Sequence, residues 1–161
     1  MIIHPIPPVY NSESKILILG SFPSVKSRQA GFFYGHKQNR FWKVLAEIFS
    51  DNVPETIDEK KTFLLKNNIA LWDVIASCDI EGSSDSSIKN VTLNDLSIIL
   101  DNSDVGKIFT NGKKANILYE KYTYPKTGIK AVSLPSTSPA NASWNFEKLV
   151  AEWRKNIVEL Q

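Results

Sequence analysis

A chain of 161 residues, 42% of them hydrophobic, is long enough for one domain with a buried core and needs no covalent staple. Its single cysteine, Cys78, excludes an internal disulfide, and with only His4 and His36 as histidines it offers no soft-ligand set for zinc or an iron–sulfur cluster, so neither metal nor cofactor is expected. The net charge of +2 says little, but its distribution says more: residues 14–46 hold no Asp or Glu, yet include Lys15, Lys26, Arg28, Lys37, Arg40 and Lys43.

A second basic block runs from Lys107 through Lys113, Lys114, Lys121 and Lys126 to Lys130, opposed by Glu120 alone. If the two blocks meet on one face, that face suits a polyanion. The first fourteen residues, MIIHPIPPVYNSES, carry three prolines and no basic leader, so an extended arm over the domain is expected rather than a signal peptide or a membrane span.

Residues 15–19 (KILIL) form an apolar run of strand length that ends at Gly20. The following GSFPS, 20–24, must turn sharply, because Gly tolerates positive φ and Pro fixes its own. Phe32, Phe33 and Tyr34 then stand between Gly31 and Gly35, a glycine-bracketed loop whose rings are expected to hold something. His36, Lys37, Asn39 and Arg40 gather just before Phe41, Val44, Leu45, Ile48 and Phe49, whose spacing predicts a helix over 39–49. Cationic and polar groups at a helix start suit an anion.

A second helix is predicted over 56–66, with acids in its first turn and Lys66 in its last. Residues 69–75 (IALWDVI) read as one strand buried on both faces, polar only at Asp73. The Ser- and Asp-rich stretch 78–90 reads as a loop, 93–100 as a short helix, and 105–110 as a third strand. A turn at Asn111-Gly112 leads to a helix over 113–122 with Ile117 and Leu118 inward, and 130–134 is the fourth strand. The last helix, 145–160, places Phe146, Leu149, Val150, Trp153, Ile157 and Leu160 on one face.

Strands alternating with helices imply an α/β fold: a parallel sheet covered on both faces by right-handed crossovers. Ligands of such sheets lie at the carboxyl ends of the strands, which collects residues 20–24, Asp73, 110–112 and 134–142 around one crevice. There Ser136, Thr137, Ser138 and Asn141 offer small donors that suit phosphate oxygens. The crevice has no paired carboxylates, metal cage or P-loop. Rings, amides and tethering donors fit a base flipped out of a duplex.

GSFPS at 20–24, followed by FYGH at 33–36, NRFW at 39–42 and LPSTSPAN at 134–141, resembles the DNA-deoxyinosine (hypoxanthine-DNA) glycosylase branch of the uracil-DNA glycosylase superfamily. NRFW and LPSTS are also similar to the mismatch-specific thymine/uracil glycosylases, and the likeness runs in order through nearly the whole chain. The resemblance implies one three-layer α/β/α domain over 1–161 with a central, mainly parallel four-stranded sheet. It also implies a monofunctional enzyme of base-excision repair that hydrolyses the N-glycosidic bond of hypoxanthine, with uracil or xanthine as further substrates, in double-stranded DNA, with single-stranded DNA as an alternative; a cytoplasmic monomer is expected.

In sister families the first motif carries an Asp or Asn that orients the attacking water. Here Ser21 and Phe22 stand there, and the resembling branch gives that role to Asn39. Many relatives begin the second motif with His, which this loop lacks. The expected base pocket is Ser21, Phe22, Phe33, Tyr34, Trp72 and Asp73, with Asp73 accepting from hypoxanthine N1–H. The expected DNA contacts are Pro23, Ser24, His36, Lys37, Arg40, Lys113, Ser136, Thr137, Ser138 and Asn141; Lys114 is a further candidate, and Arg40 is equally able to make a structural salt bridge. Glycosidic cleavage passes through a sugar cation, so a positioned water matters more than a strong nucleophile. No Lys in the first motif provides a lyase step. Two other classes compete: a hydrolase using Ser21 with His36 and Asp73, which lacks the G-x-S-x-G elbow, and a nucleic-acid binding module without catalysis.

Overall fold

The computed structural model describes residues 1–158. The N-terminal arm opens with β1 (Ile2–Ile3) and crosses the domain before β2 (Ile16–Gly20), a five-residue run with every position buried. Past the sharp turn comes α1 (Val25–Ala30), capped by Ser24, whose Oγ accepts from Ser27 N–H at 3.1 Å, and closed by Gly31 in the left-handed conformation, φ 75°. This helix was not expected, because VKSRQA has no apolar period.

Next come α2 (Phe41–Ile48), almost wholly buried, and α3 (Ile57–Lys66), which starts with a reciprocal capping box between Thr56 and Glu59. β3 (Ile69–Asp73) is again buried throughout. The single strand expected over 69–75 is in fact two. At Val74 the chain bends away, its N–H bonding Gly20 O at 2.8 Å, and Asn94 Nδ2 pins the bend by donating to Asp73 O (2.9 Å) and Ile75 O (3.1 Å).

The chain then enters β4 (Ile75–Asp79), which pairs antiparallel with β1 on one side and with β5 (Lys89–Leu93) on the other. The stretch expected to be a loop at 78–90 therefore contributes to a second, three-stranded sheet, with one short turn at Asp85–Ser87 between its strands. The helix expected over 93–100 shortens to α4 (Ser97–Leu100), since Leu93 belongs to the sheet and Asn94 to the bend.

β6 (Lys107–Asn111) leads through Gly112 into α5 (Lys113–Leu118), a π-type turn at Tyr119–Thr123, and α6 (Tyr124–Thr127). Leu118 is buried, but Ile117 is 58% exposed, against the inward position expected for it. β7 (Ala131–Leu134) completes the main sheet and α7 (Phe146–Val158) packs on α2, with Phe41 edge-on to Trp153 at 6.0 Å. Leu149, Val150, Trp153 and Ile157 are buried on its inner face; Leu160, assigned to that face by periodicity, lies outside the described residues.

The main sheet has the order β3-β2-β6-β7, all parallel and flanked by helices. Its open edge at β3 is closed by the arm: Val9 and Leu71 exchange backbone hydrogen bonds of 3.0 and 2.9 Å. Gly20 pairs with Asp73, and Asn111 with Leu134, so all four carboxyl ends finish at one end of the sheet. Among the described residues no helix is long and apolar enough to cross a membrane.

Candidate active site

At that end lies a cavity of about 140 Å³. This is below the roughly 300 to 1,000 Å³ of sites that enclose a whole ligand, so it admits one heterocycle with the rest of a substrate outside. The turn after β2 forms one wall with Ser21, Phe22, Pro23 and Ser24, and Phe33, Tyr34 and Asn39 form another. Asp73 and Asn111 come from strand ends, and Ser136, Thr137 and Ser138 from the loop after β7.

Gly20 has to be glycine here. A Cβ at this position would sit 2.4 Å from Asp73 Oδ1 and 2.9 Å from Tyr34 Oη, both inside contact distance.

Asn39 is held by a chain of hydrogen bonds across three segments. Asn111 accepts from Thr137 N–H (3.1 Å) and donates through Nδ2 to Thr137 Oγ1 (3.0 Å). The fully buried Thr137 hydroxyl therefore donates onward to Asn39 Oδ1 at 2.8 Å, and Phe41 N–H, at the start of α2, donates to the same oxygen at 3.0 Å. With both lone pairs of Oδ1 occupied, the amide cannot be flipped, and its NH2 is the group left to face the cavity. Among the described residues that NH2 has no partner.

Asp73 is buried, and its Oδ2 accepts from His4 Nε2 at 2.7 Å; the His4 side chain, 3% exposed, is packed among Phe22, Phe33 and Trp72. Ile6 N–H donates to His4 Nδ1 at 3.1 Å, which fixes the proton on Nε2. The histidine of the N-terminal arm is thus part of the site, 69 residues from its partner, and no local sequence signal marks it.

Tyr34 takes a left-handed backbone, φ 53°, and stacks on Phe41 at 4.0 Å. Its buried hydroxyl meets no partner in hydrogen-bonding geometry, although the Asn111 side chain lies near it. Burial first, and then the Asp73 carboxylate, push that hydroxyl far above the ordinary tyrosine range.

Several expected positions are corrected. Trp72 is off the cavity wall, buried beneath the arm with Nε1 donating to Ile6 O at 3.3 Å. Arg40 turns inward and spreads its guanidinium over the carbonyls of Thr137, Ser138, Asn141 and Trp144, so it clamps the second motif and leaves no fork for a phosphate. Thr137 is wholly buried, Asn141 Nδ2 is spent on Ser136 O at 3.0 Å, and Ser24 Oγ caps α1. Within the second loop the Ser136 and Ser138 hydroxyls accept from Ser138 N–H and Ala140 N–H, because irregular backbone at the end of a sheet has carbonyls and N–H groups to satisfy.

His36, Lys37 and Lys113 stay outside the cavity wall, with Lys37 and Lys113 exposed. His36 Nδ1 accepts from Gln38 N–H, Ser21 Oγ donates to Asp85, and Asp73 is paired with His4, so the Ser21–His36–Asp73 hydrolase constellation is not assembled.

Asp85 was not expected at all. It reaches the cavity from the short turn between β4 and β5, accepting from Ser21 Oγ at 3.0 Å, 64 residues away in sequence. The residue as a whole is exposed, but it lines the cavity and is partly desolvated there. That desolvation holds it above the ordinary aspartate range, against the Ser21 hydrogen bond and Lys114, with Asp73 adding to the rise. Between the unfolded and folded values the fold keeps a proton that the unfolded chain has released, so stability falls as pH rises through that window and the penalty persists at neutral pH. Asp85→Asn, whose carbonyl still accepts from Ser21, is expected to melt above the wild type at pH 7. The gain should vanish below the ordinary aspartate range, as thermal melts at the two pH values will show.

The sequence profile of the Uracil DNA glycosylase superfamily matches residues 7–159. The chain is 36% identical over 155 residues to a protein of Methanosarcina acetivorans named hypoxanthine DNA glycosylase, covering 95% of this chain and 96% of that one. A protein of the same name from Methanosarcina barkeri is 36% identical over 111 residues, covering 68% and 70% of the two chains. A solution NMR structure from Methanosarcina acetivorans, provisionally designated a uracil DNA glycosylase, superposes with a TM-score of 0.83 at 32% identity and covers 99% of both chains.

Proposed function

The chain belongs to the uracil DNA glycosylase superfamily, and on that premise we propose that it is a monofunctional DNA glycosylase whose principal base is hypoxanthine in double-stranded DNA. The observation that carries this reading is Asn39, fixed by the Asn111–Thr137 chain beside a cavity of one-ring-system size that both serine-bearing loops border.

The bond that breaks joins C1′ of the sugar to N9 of the base, and its electron pair leaves with the base. The sugar becomes cationic, water adds to C1′, and that water loses a proton to solvent. Because the sugar cation is a strong electrophile, holding the water in place counts for more than deprotonating it. The Asn39 NH2 holds the water by a lone pair on the water oxygen. The amide oxygen is not free for this role, being occupied by Phe41 N–H and Thr137 Oγ1. Asp73 Oδ1 accepts from hypoxanthine N1–H at the cavity floor, and adenine, with a lone pair at N1, is repelled there. Phe22 and Phe33 supply the apolar wall, while Lys37, Lys113 and His36 meet phosphates outside. The enzyme works as a one-domain monomer in the cytoplasm.

The test uses duplexes carrying one hypoxanthine, uracil, xanthine or adenine. The expected result is alkali-sensitive breaks at hypoxanthine and none at adenine, with no break before alkali and no borohydride-trapped adduct. Ser21→Ala should leave excision standing. Ester hydrolysis lost with Ser21, or salt-sensitive binding without any excision, would overturn the assignment.

A further inference from the structure

The Tyr34 hydroxyl is a buried donor with nothing to donate to, and leaving such a group unpaired costs stability unless a ligand completes it. Its position is enforced. The ring is stacked on the fully buried Phe41 at 4.0 Å and 19°, and the backbone is held at φ 53°, which a bulky residue adopts only when its surroundings compel it. The hydroxyl and Asp73 Oδ1 converge above Gly20, 2.9 and 2.4 Å from where a Cβ would stand, and both residues line the cavity. Asp73 Oδ2 is already taken by His4 Nε2–H, and the backbone of Ile6 fixes the tautomer of that imidazole.

We propose that Tyr34 Oη–H and Asp73 Oδ1 form a two-point reader for a lactam edge, one donor beside one acceptor, and that His4 is the positioning residue that aims the carboxylate. The proposal rests on the glycosylase reading and deepens it by naming the class of base. Hypoxanthine and xanthine present O6 beside N1–H, and uracil presents O4 beside N3–H. Each therefore gives a carbonyl for Tyr34 and an N–H for Asp73. Adenine and cytosine show the reverse, an exocyclic amine beside a bare ring nitrogen, and leave both protein groups opposed. Deamination of adenine or cytosine converts the second pattern into the first, so one fixed pair recognises hypoxanthine and uracil alike. Guanine and thymine share the lactam edge, so their rejection falls to the surroundings of C2 and C5 and to the cost of leaving their paired partners.

Tyr34 belongs to the expected base pocket, but it serves there through its hydroxyl rather than its ring face. One face of its ring is occupied by Phe41, and the tip of the side chain is what reaches the floor.

The experiment compares full-length wild type, Tyr34→Phe, His4→Gln and His4→Phe in single-turnover excision from duplexes holding hypoxanthine or 1-methylhypoxanthine, with a thermal melt of each. Tyr34→Phe should lose about tenfold in kcat/KM on hypoxanthine, the value of one hydrogen bond at a factor of ten per 1.36 kcal/mol. It should also melt no lower than wild type, because the deleted hydroxyl was unsatisfied; a merely structural hydroxyl would lower both. Wild type should discriminate against the methylated base, which cannot donate to Asp73. His4→Gln, able to donate to Oδ2, should keep more activity than His4→Phe. Wild type without excision would sink the function and the reader together. Wild-type excision that Tyr34→Phe leaves intact, or lowers only in step with the melting temperature, would sink the reader alone.

Discussion

Replacing Asn39 by alanine is expected to cut single-turnover excision of hypoxanthine by a factor on the order of 10² to 10³, the range for removing one preorganised hydrogen-bond donor from an active site. The protein should still fold. Asn39 Oδ1 accepts from Phe41 N–H at the start of α2, so the change also leaves that N–H without its side-chain acceptor, which costs about 1 kcal/mol and lowers the melting temperature by a few degrees. Asn39→Asp separates the two roles. Aspartate keeps an oxygen for Phe41 N–H and Thr137 Oγ1, so stability is largely restored. It presents an acceptor where the NH2 had been, and excision should stay low. Excision restored or raised in Asn39→Asp would mean that the residue takes a proton from the water, and the NH2 assignment would fall.

The difference between oxygen and nitrogen at position 39 marks the limit of what the sequence carries. The elements of the main sheet were legible because β2 and β3 are continuous apolar runs ended by Gly20 and Asp73, and the parallel topology brings such ends together whatever the loops do. The position of the cavity followed from that, as far as residues 20–24, Asp73, Asn111 and the second motif that line it. What was not legible depends on partners far along the chain. His4 on Asp73, Asp85 on Ser21 and Arg40 on the 137–144 carbonyls are contacts across 64 to 104 residues between groups that have no shared spacing. The second sheet was hidden for a different reason. Its strand β5 is mostly exposed and its pairing with β4 slips register twice, so neither alternation nor an apolar run announces it. The helix α1 was hidden because its stability comes from the Ser24 cap and Gly31 rather than from an apolar face.

Arg40→Ala is expected to be the most destabilising change in the site, and to act without any loss of phosphate contact. The guanidinium donates to Ser138 O at 2.9 Å, Asn141 O at 3.2 Å and Trp144 O, with Nε directed at Thr137 O, so one side chain satisfies most of the inward carbonyls of the loop after β7. Charge-assisted bonds of this kind contribute about 1.5 to 3 kcal/mol each, and water can replace some of them at a partly exposed loop, so a net loss of about 2 to 4 kcal/mol is expected. Thr137 sits on that loop, and once it drifts the Asn39 amide loses the donor that orients it, so excision falls together with stability. Arg40→Lys should rescue little, because an ammonium is a point charge and cannot fan across carbonyls set by a planar fork. The salt dependence of duplex binding distinguishes this account from a phosphate role. A lost phosphate contact reduces the slope of log K against log salt by about one. Measured below the melting temperature, Arg40→Ala should keep the wild-type slope, whereas Lys37→Ala and Lys113→Ala should each flatten it. A flattened slope in Arg40→Ala with unchanged stability would return Arg40 to the DNA surface and leave the fixed geometry of Asn39 without its outer support.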